Sequence, residues 1–287
     1  METTGFVKQL ASNNRKVRVN ALEKLTELLA TVNFKKAKQL QFDKLWKGLY
    51  FSMWFSDKPR PQQRLANELG ALFLTYFKES DNSEKNTEKL CMNDAAFIKF
   101  SKAFWRVILM EWLNIDKWRL DKYLLLVRRV LYNQLKYMQL RNWDELLVEK
   151  YLTKVLKKLP LSGDRKVYTG VPIHITDIFL DEWERLMRND DVPQEEIADE
   201  DFEEKEYDFI TLVKETPLPK FIDIFQKLTE DQHVSKVLKS RIKEDLLEDT
   251  RLLEWEIIND EDSDEEEERE DVVAEEDNDD DTEWKGF

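Results

Sequence analysis

Six glycines and seven prolines in 287 residues leave this chain few means of turning sharply. Sheets reverse direction through tight turns that draw on glycine, proline, asparagine and aspartate. A chain so poor in glycine and proline is better served by long helices joined by short corners. Helical periodicity follows almost everywhere. Val17, Ala21, Leu25, Leu28 and Val32 form one stripe, with Asn13 or Asn14 placed to cap it. Phe42, Leu45, Trp46, Leu49 and Met53 form the next, and Leu65, Leu69, Leu72, Phe73 and Tyr76 a third. A fourth holds Phe97, Phe100, Phe104, Ile108 and Trp112. Residues 79–90 read as a polar loop between the third and fourth.

Asn142 followed by Glu145 resembles a capping box, and Thr176 is the expected cap of a shorter helix beyond the basic connector RKVYTG. Two more helices are expected near 217–230 and 232–248. Helices paired every 35–45 residues predict an all-α stack of the HEAT or armadillo type, with an irregular bundle as the alternative. The helical-repeat domain is expected over 1–255, with an acidic linker about 189–206 inside it. Residues 256–287 are expected to be an acidic disordered tail, self-repelling from about residue 260.

Charge is unevenly spread. Residues 1–170 hold 32 Lys and Arg against 18 Asp and Glu, or +14. Residues 171–259 hold 11 against 25, or −14, and residues 260–287 hold 2 against 17, or −15. A basic body with an acidic rear predicts an anionic partner in front, and a basic partner or self-masking behind. Ser263, in EDSDEEEE, suits an acidophilic kinase.

Catalytic chemistry has little to work with. The two histidines, His174 and His233, and the single Cys91 offer no zinc spacing, and no phosphate-cradling glycine motif exists. His174 reads as a packing residue. The lone cysteine excludes an intrachain disulfide and points to a reducing compartment, cytosol or nucleus. No apolar run long enough to span a membrane, and no signal-peptide block, is present, so a soluble intracellular protein is expected. A carboxylate-only metal nuclease is the remaining enzymatic reading, and the acidic runs read better as solvated surface. No cofactor, metal or small-molecule substrate is expected.

The basic residues are the candidate interface: Arg15, Lys16 and Arg18; Lys35, Lys36 and Lys38; Arg128 and Arg129; Lys157 and Lys158; Arg165 and Lys166. Several such groups along one side of a solenoid would hold phosphate backbones. Trp46, Trp105 and Trp112 read as core, whereas Trp118, between Lys117 and Arg119, stands open between core and surface. The segment MWFSDKPRPQQRLANELG reads as a rigid corner. Pro59 holds Lys58 extended, Pro61 fits the first turn of a helix over 62–77, and Asp57 is placed to cap. The corner carries Lys58, Arg60 and Arg64 outward.

FVKQLASNNRKVRVNALEKL, LWKGLYFSMWFSDKPRPQQRLANELG and FWRVILMEWLNIDKWRLDKYLLLVRRV together closely resemble the ribosomal RNA-processing protein 1 family of fungi. The resemblance runs to about residue 255. It implies a helical-repeat, non-catalytic nucleolar component of precursor large-subunit particles, needed for maturation toward 5.8S and 25S/28S rRNA. It also implies work beside a Brix-domain protein and a β-propeller protein, and contact with precursor rRNA. The competing reading is a helical adaptor that binds basic proteins without RNA.

Overall fold

The structure is a computed structural model that describes residues 8–10, 12, 14–83, 86–188 and 208–258. Among them the chain is helical, without strands. The principal helices are α1 (Arg15–Ala30), α2 (Gln39–Trp54), α3 (Pro59–Ala71), α4 (Met92–Glu111), α5 (Leu120–Leu140), α6 (Glu145–Tyr151), α7 (Gly170–Arg188), α8 (Leu218–Glu230), α9 (Lys236–Ile242) and α10 (Thr250–Glu254). The expected linker at 189–206 and Ser263 lie outside the described residues, as does the tail from residue 259.

Two layers form because each helix packs on the one two places along the chain. α2 lies beside α4, α3 beside α5, and α5 beside α7. Neighbours within a layer run parallel. Gln39 Nε2 donates to Lys99 O at 2.8 Å, Asp43 pairs with Arg106 at 3.2 Å, and Lys47 pairs with Glu111, so α2 and α4 advance in step. In the other layer His174 meets Leu124 O at 3.0 Å, Arg128 meets Glu182, and Gln139 meets Met187 Sδ at 3.7 Å. This is the expected stack. α3 and α5 approach closely at Gly70, where an added Cβ would stand 2.8 Å from Arg129 O on α5. Side-chain-free contact lets α3 seat there.

Between the layers lies one aromatic core. Trp46 sits within ring contact of Phe73, Phe100 and Phe104, with centroids at 5.9, 5.0 and 4.9 Å. Phe97 stacks on Tyr137 at 4.0 Å. Further along, Trp183 gathers Phe179 and Phe221. Burial of such rings dominates the driving force, each contributing a few kcal/mol through apolar area alone.

Several local expectations are corrected. Helix α1 buries Ala21, Leu25 and Leu29, with Leu28 only half-buried, and packs on the Leu72–Tyr76 turn; Val17 in its first turn and Val32 beyond its end are exposed. Asn14, not Asn13, caps it, with Oδ1 accepting from Lys16 N at 3.0 Å. Asn142 is no cap: it and Trp143 take φ of 51° and 52° to finish α5, and Asp144 caps α6 by accepting from Leu147 N at 3.0 Å. Thr176 lies inside α7, its hydroxyl donating to Pro172 O at 3.0 Å. The third stripe forms α3 and then a 3-10 segment, Leu72–Tyr76. The helix expected over 232–248 is split into α9 and a π-helical turn, Lys243–Leu247. Packed chain continues beyond it, with Trp255 fully buried.

The polar stretch 79–90 is no idle loop. Asn86 Nδ2 donates to Asp94 at 2.7 Å and to Asp144 at 3.0 Å, while Asn82 Nδ2 donates to Leu140 O at 2.9 Å. Asp94, fully buried at the start of α4, also accepts from Tyr137 Oη at 2.7 Å and from Arg141 at 3.1 Å. The segment thus pins the starts of α4 and α6 to the end of α5.

Candidate nucleic-acid interface

The outer face of α4 carries Lys102 and Arg106, which share a stripe at helical spacing. Chain that follows α6, through a π-helical turn at Leu152–Leu156, brings Lys154 and Lys158 beside them. Burial, and then the charges of Arg106, Lys158 and Lys154, hold the Lys102 ammonium below the usual lysine range, against the pull of Asp43. Lys102 on α4 thus feels Lys154 and Lys158 from the chain after α6 as well as Arg106, which is itself paired with Asp43 at 3.2 Å. Lys102, Lys154 and Lys158 make no ion pair among the described residues, beyond Lys102's attraction to Asp43, so the local balance is positive. Phosphates answer that balance directly.

Of the residues expected at an interface, Lys16, Lys36, Lys38, Arg64 and Lys158 are exposed. The side chain of Arg15 lies outside the described residues. Arg18 is buried, with Nη1 on Ser12 O at 2.6 Å, and Lys35 is buried as well. Neither lines a surface. Arg128 is engaged by Glu182 and, at 3.3 Å, by Asp181, while half-buried Arg129 lies behind α3. Lys157 pairs with Asp223 at 3.6 Å. Lys58, Trp118, Arg165 and Lys166 are exposed on connectors at one edge of the stack, and Arg60 is exposed in the first turn of α3 beside them. Doublet scanning missed Lys102, Arg106 and Lys154, which stand singly among apolar residues. Plotting lone cations on the helical phase would have found them.

The proline corner is built differently from its expected form. Pro59 opens α3, Pro61 follows inside its first turn, and Lys58 is extended at φ −96° and ψ 137° as Pro59 demands. Asp57 does not cap, since no side chain hydrogen-bonds the start of α3. Lys122 holds the corner instead. Its Nζ donates to Trp54 O at 2.8 Å and Ser56 O at 2.9 Å, and Gln62 Nε2 adds a bond to Ser56 O at 2.8 Å. Burial, and secondarily Arg119, lowers the Lys122 pKa to about 8, opposed by Asp57 and Asp116.

Lys122→Met is expected to cost about 1–3 kcal/mol, because buried carbonyls lose their donor. The unfolded chain binds the Lys122 proton more tightly than the folded one. Stability therefore rises between pH 8 and 10.5 as the folded lysine neutralises while keeping two N–H donors. Urea melts across that range should show the methionine variant lacking this rise; parallel curves would sink the account. Asp57→Ala should shift stability by under about 0.5 kcal/mol.

Among the described residues no His, Cys, Asp and Glu side chains group to hold a metal ion, and no helix is long and apolar enough to cross a membrane. His174 is half-buried, its ring nitrogen against Leu124 O, and burial lowers its pKa. Cys91 caps α4 by accepting from Asp94 N at 3.4 Å, and burial pushes its thiol up to about 11. Neither is placed as a nucleophile.

Comparison with known proteins gives a family match over the whole chain. The family described as "Nucleolar protein, Nop52" matches residues 1–287. The mouse (Mus musculus) "Ribosomal RNA processing protein 1 homolog A" is 34% identical over 183 residues, covering 62% of this chain and 33% of the relative. The human (Homo sapiens) "Ribosomal RNA processing protein 1 homolog B" is 30% identical over 184 residues, covering 63% and 22%. The Drosophila melanogaster homolog is 29% identical over 182 residues, covering 62% and 24%. The matched stretch thus spans a third or less of each of these relatives.

Proposed function

The chain belongs to the Nop52 family of nucleolar proteins, and from that premise we propose that it is a non-catalytic ribosome-biogenesis factor acting in rRNA processing. In this reading the stack is a scaffold in precursor large-subunit particles, needed for maturation toward 5.8S and 25S/28S rRNA. It binds precursor rRNA and assembly factors of the Brix-domain and β-propeller kinds in the nucleolus. The relatives named for ribosomal RNA processing support the process. The observation that supports the RNA contact is that exposed Lys154 and Lys158 lie close enough to half-buried Lys102 for their charges to act on it.

Replacing Lys102, Lys154 and Lys158 together by glutamine should reduce affinity for precursor rRNA fragments and lower the log–log salt slope by roughly 2–3. Filter binding across a salt series reads both. A slope equal to the parent's would favour the protein-only adaptor. In the same assay, truncation after residue 259 removes a segment of charge −15 and should raise affinity for random RNA. Superimposable curves would mean the acidic segment does not mask the basic face.

A further inference from the structure

Because α2, α4 and α6 run parallel, the connectors that leave their C-terminal ends fall on one edge of the stack. The register is carried by Asp43 with Arg106 and Lys47 with Glu111. α6 begins where α4 begins, with Asp144 and Asp94 sharing Asn86. The last connector climbs back to that edge, where Gly170 lies against Tyr168 and Trp112.

Each connector presents the same pair of chemistries. The first exposes Phe55 and Lys58, with Arg60 in the first turn of α3; the second exposes Trp118 and Lys117, and the third Tyr168, Arg165 and Lys166. Fractional exposures are 56% for Phe55, 84% for Trp118 and 50% for Tyr168. Elsewhere the chain hides its rings: among the described tryptophans Trp118 is the exposed one. The backbone that carries Trp118 is held in place. Asp116 Oδ1 accepts from Trp118 N at 3.0 Å and Arg119 N at 3.1 Å, and Lys117 Nζ lies 4.9 Å from the indole centroid. One indole face is covered by that ammonium. The other can take a flat ring.

The carboxylates of the connectors do not ion-pair with the outward cations. Asp116 is spent on those backbone donors and on Arg119, and Asp164 Oδ1 accepts from Lys166 N at 2.9 Å. Asp57 is exposed, and its charge acts on Lys122. Arg165 Nε reaches His233 O at 3.5 Å, and Lys58, Arg60, Lys117 and Lys166 make no ion pair among the described residues, so these cations can take an external anion.

We propose that this edge binds a short unpaired RNA segment, with Phe55, Trp118 and Tyr168 as stacking platforms and the neighbouring lysines and arginines on its phosphates. Aromatic faces paired with cations suit single strands, whose bases are free to stack; duplex bases are not. The inference rests on the RNA reading above and gives it a second, strand-selective site. A protein partner would use the same rings as apolar anchors and is an outcome of the test.

The test measures binding of the full chain to a fluorescent oligouridine of about eight nucleotides and to an RNA duplex. Trp118→Ala, and Phe55→Ala with Tyr168→Ala, should each weaken oligouridine binding about tenfold with an unchanged salt slope, and leave duplex binding and melting temperature in place. Trp118→Phe should restore most of the affinity. Equal loss on strand and duplex, or no loss, overturns the stacking site while leaving the basic face on α4 and α6 standing. A chain that binds neither RNA overturns both. A photo-crosslinking residue at position 118 that captures protein and no RNA in cells would also overturn it.

Discussion

Arg141→Met is expected to destabilise the fold by about 3–5 kcal/mol, the range for removing one partner of a buried ion pair. Arg141 and Asp94 are almost wholly buried and meet through Nε at 3.1 Å and Nη2 at 3.1 Å. Tyr137 and Asn86 complete the shell around the carboxylate. Without the guanidinium, Asp94 must either stay charged in an apolar setting or take up a proton. Asn82, whose Oδ1 accepts from Arg141 Nη1, would lose its donor as well. Changing Asp94 to leucine in the same protein should recover part of the loss, since the uncompensated charge is then gone. Equilibrium urea unfolding of the parent, single and double variants measures this. A single variant within about 1 kcal/mol of the parent would show that the pair does not hold the 79–90 segment to the stack.

Trp46→Ala should cost a similar amount, about 3–5 kcal/mol, for a different reason. The indole is 1% exposed and fills the space where α2, α4 and the Leu72–Tyr76 turn converge. Phe73, Phe100 and Phe104 each touch it, so its removal opens a void lined by rings from three elements. Rings locked by their other neighbours cannot collapse into that volume. Trp46→Phe, which leaves most of the volume filled, should lose less than half as much. Thermal melts in which alanine and phenylalanine variants coincide would mean the site repacks freely.

These two sites differ in how readily the sequence reveals them. Trp46 was legible: it falls at helical spacing with Phe42, Leu49 and Met53, and a period of 3.6 assigns it to the core. Asp94 and Arg141 were not, because each is an ordinary charged residue within its own segment. The same contrast runs through the candidate interface. Trp118 stood open from its neighbours alone, since a residue between two helices belongs to neither stripe. Arg18 and Lys35 looked like solvated cations and are buried. Lys122, unremarked in its stripe, holds the corner that Asp57 was expected to hold.

Glycine and proline scarcity, with apolar spacing, determined by itself that the chain is all-α and which face of most helices turns inward. That information is local, because backbone freedom and side-chain period act within a few residues. Tertiary structure alone decided which charges meet. Layers of parallel helices bring Lys47 to Glu111, Arg128 to Glu182 and Arg141 to Asp94 across roughly fifty to sixty-five residues of chain. They also set the exposed connectors side by side on one edge. Coulomb energy depends on distance in space and on burial, and neither has a period along the sequence.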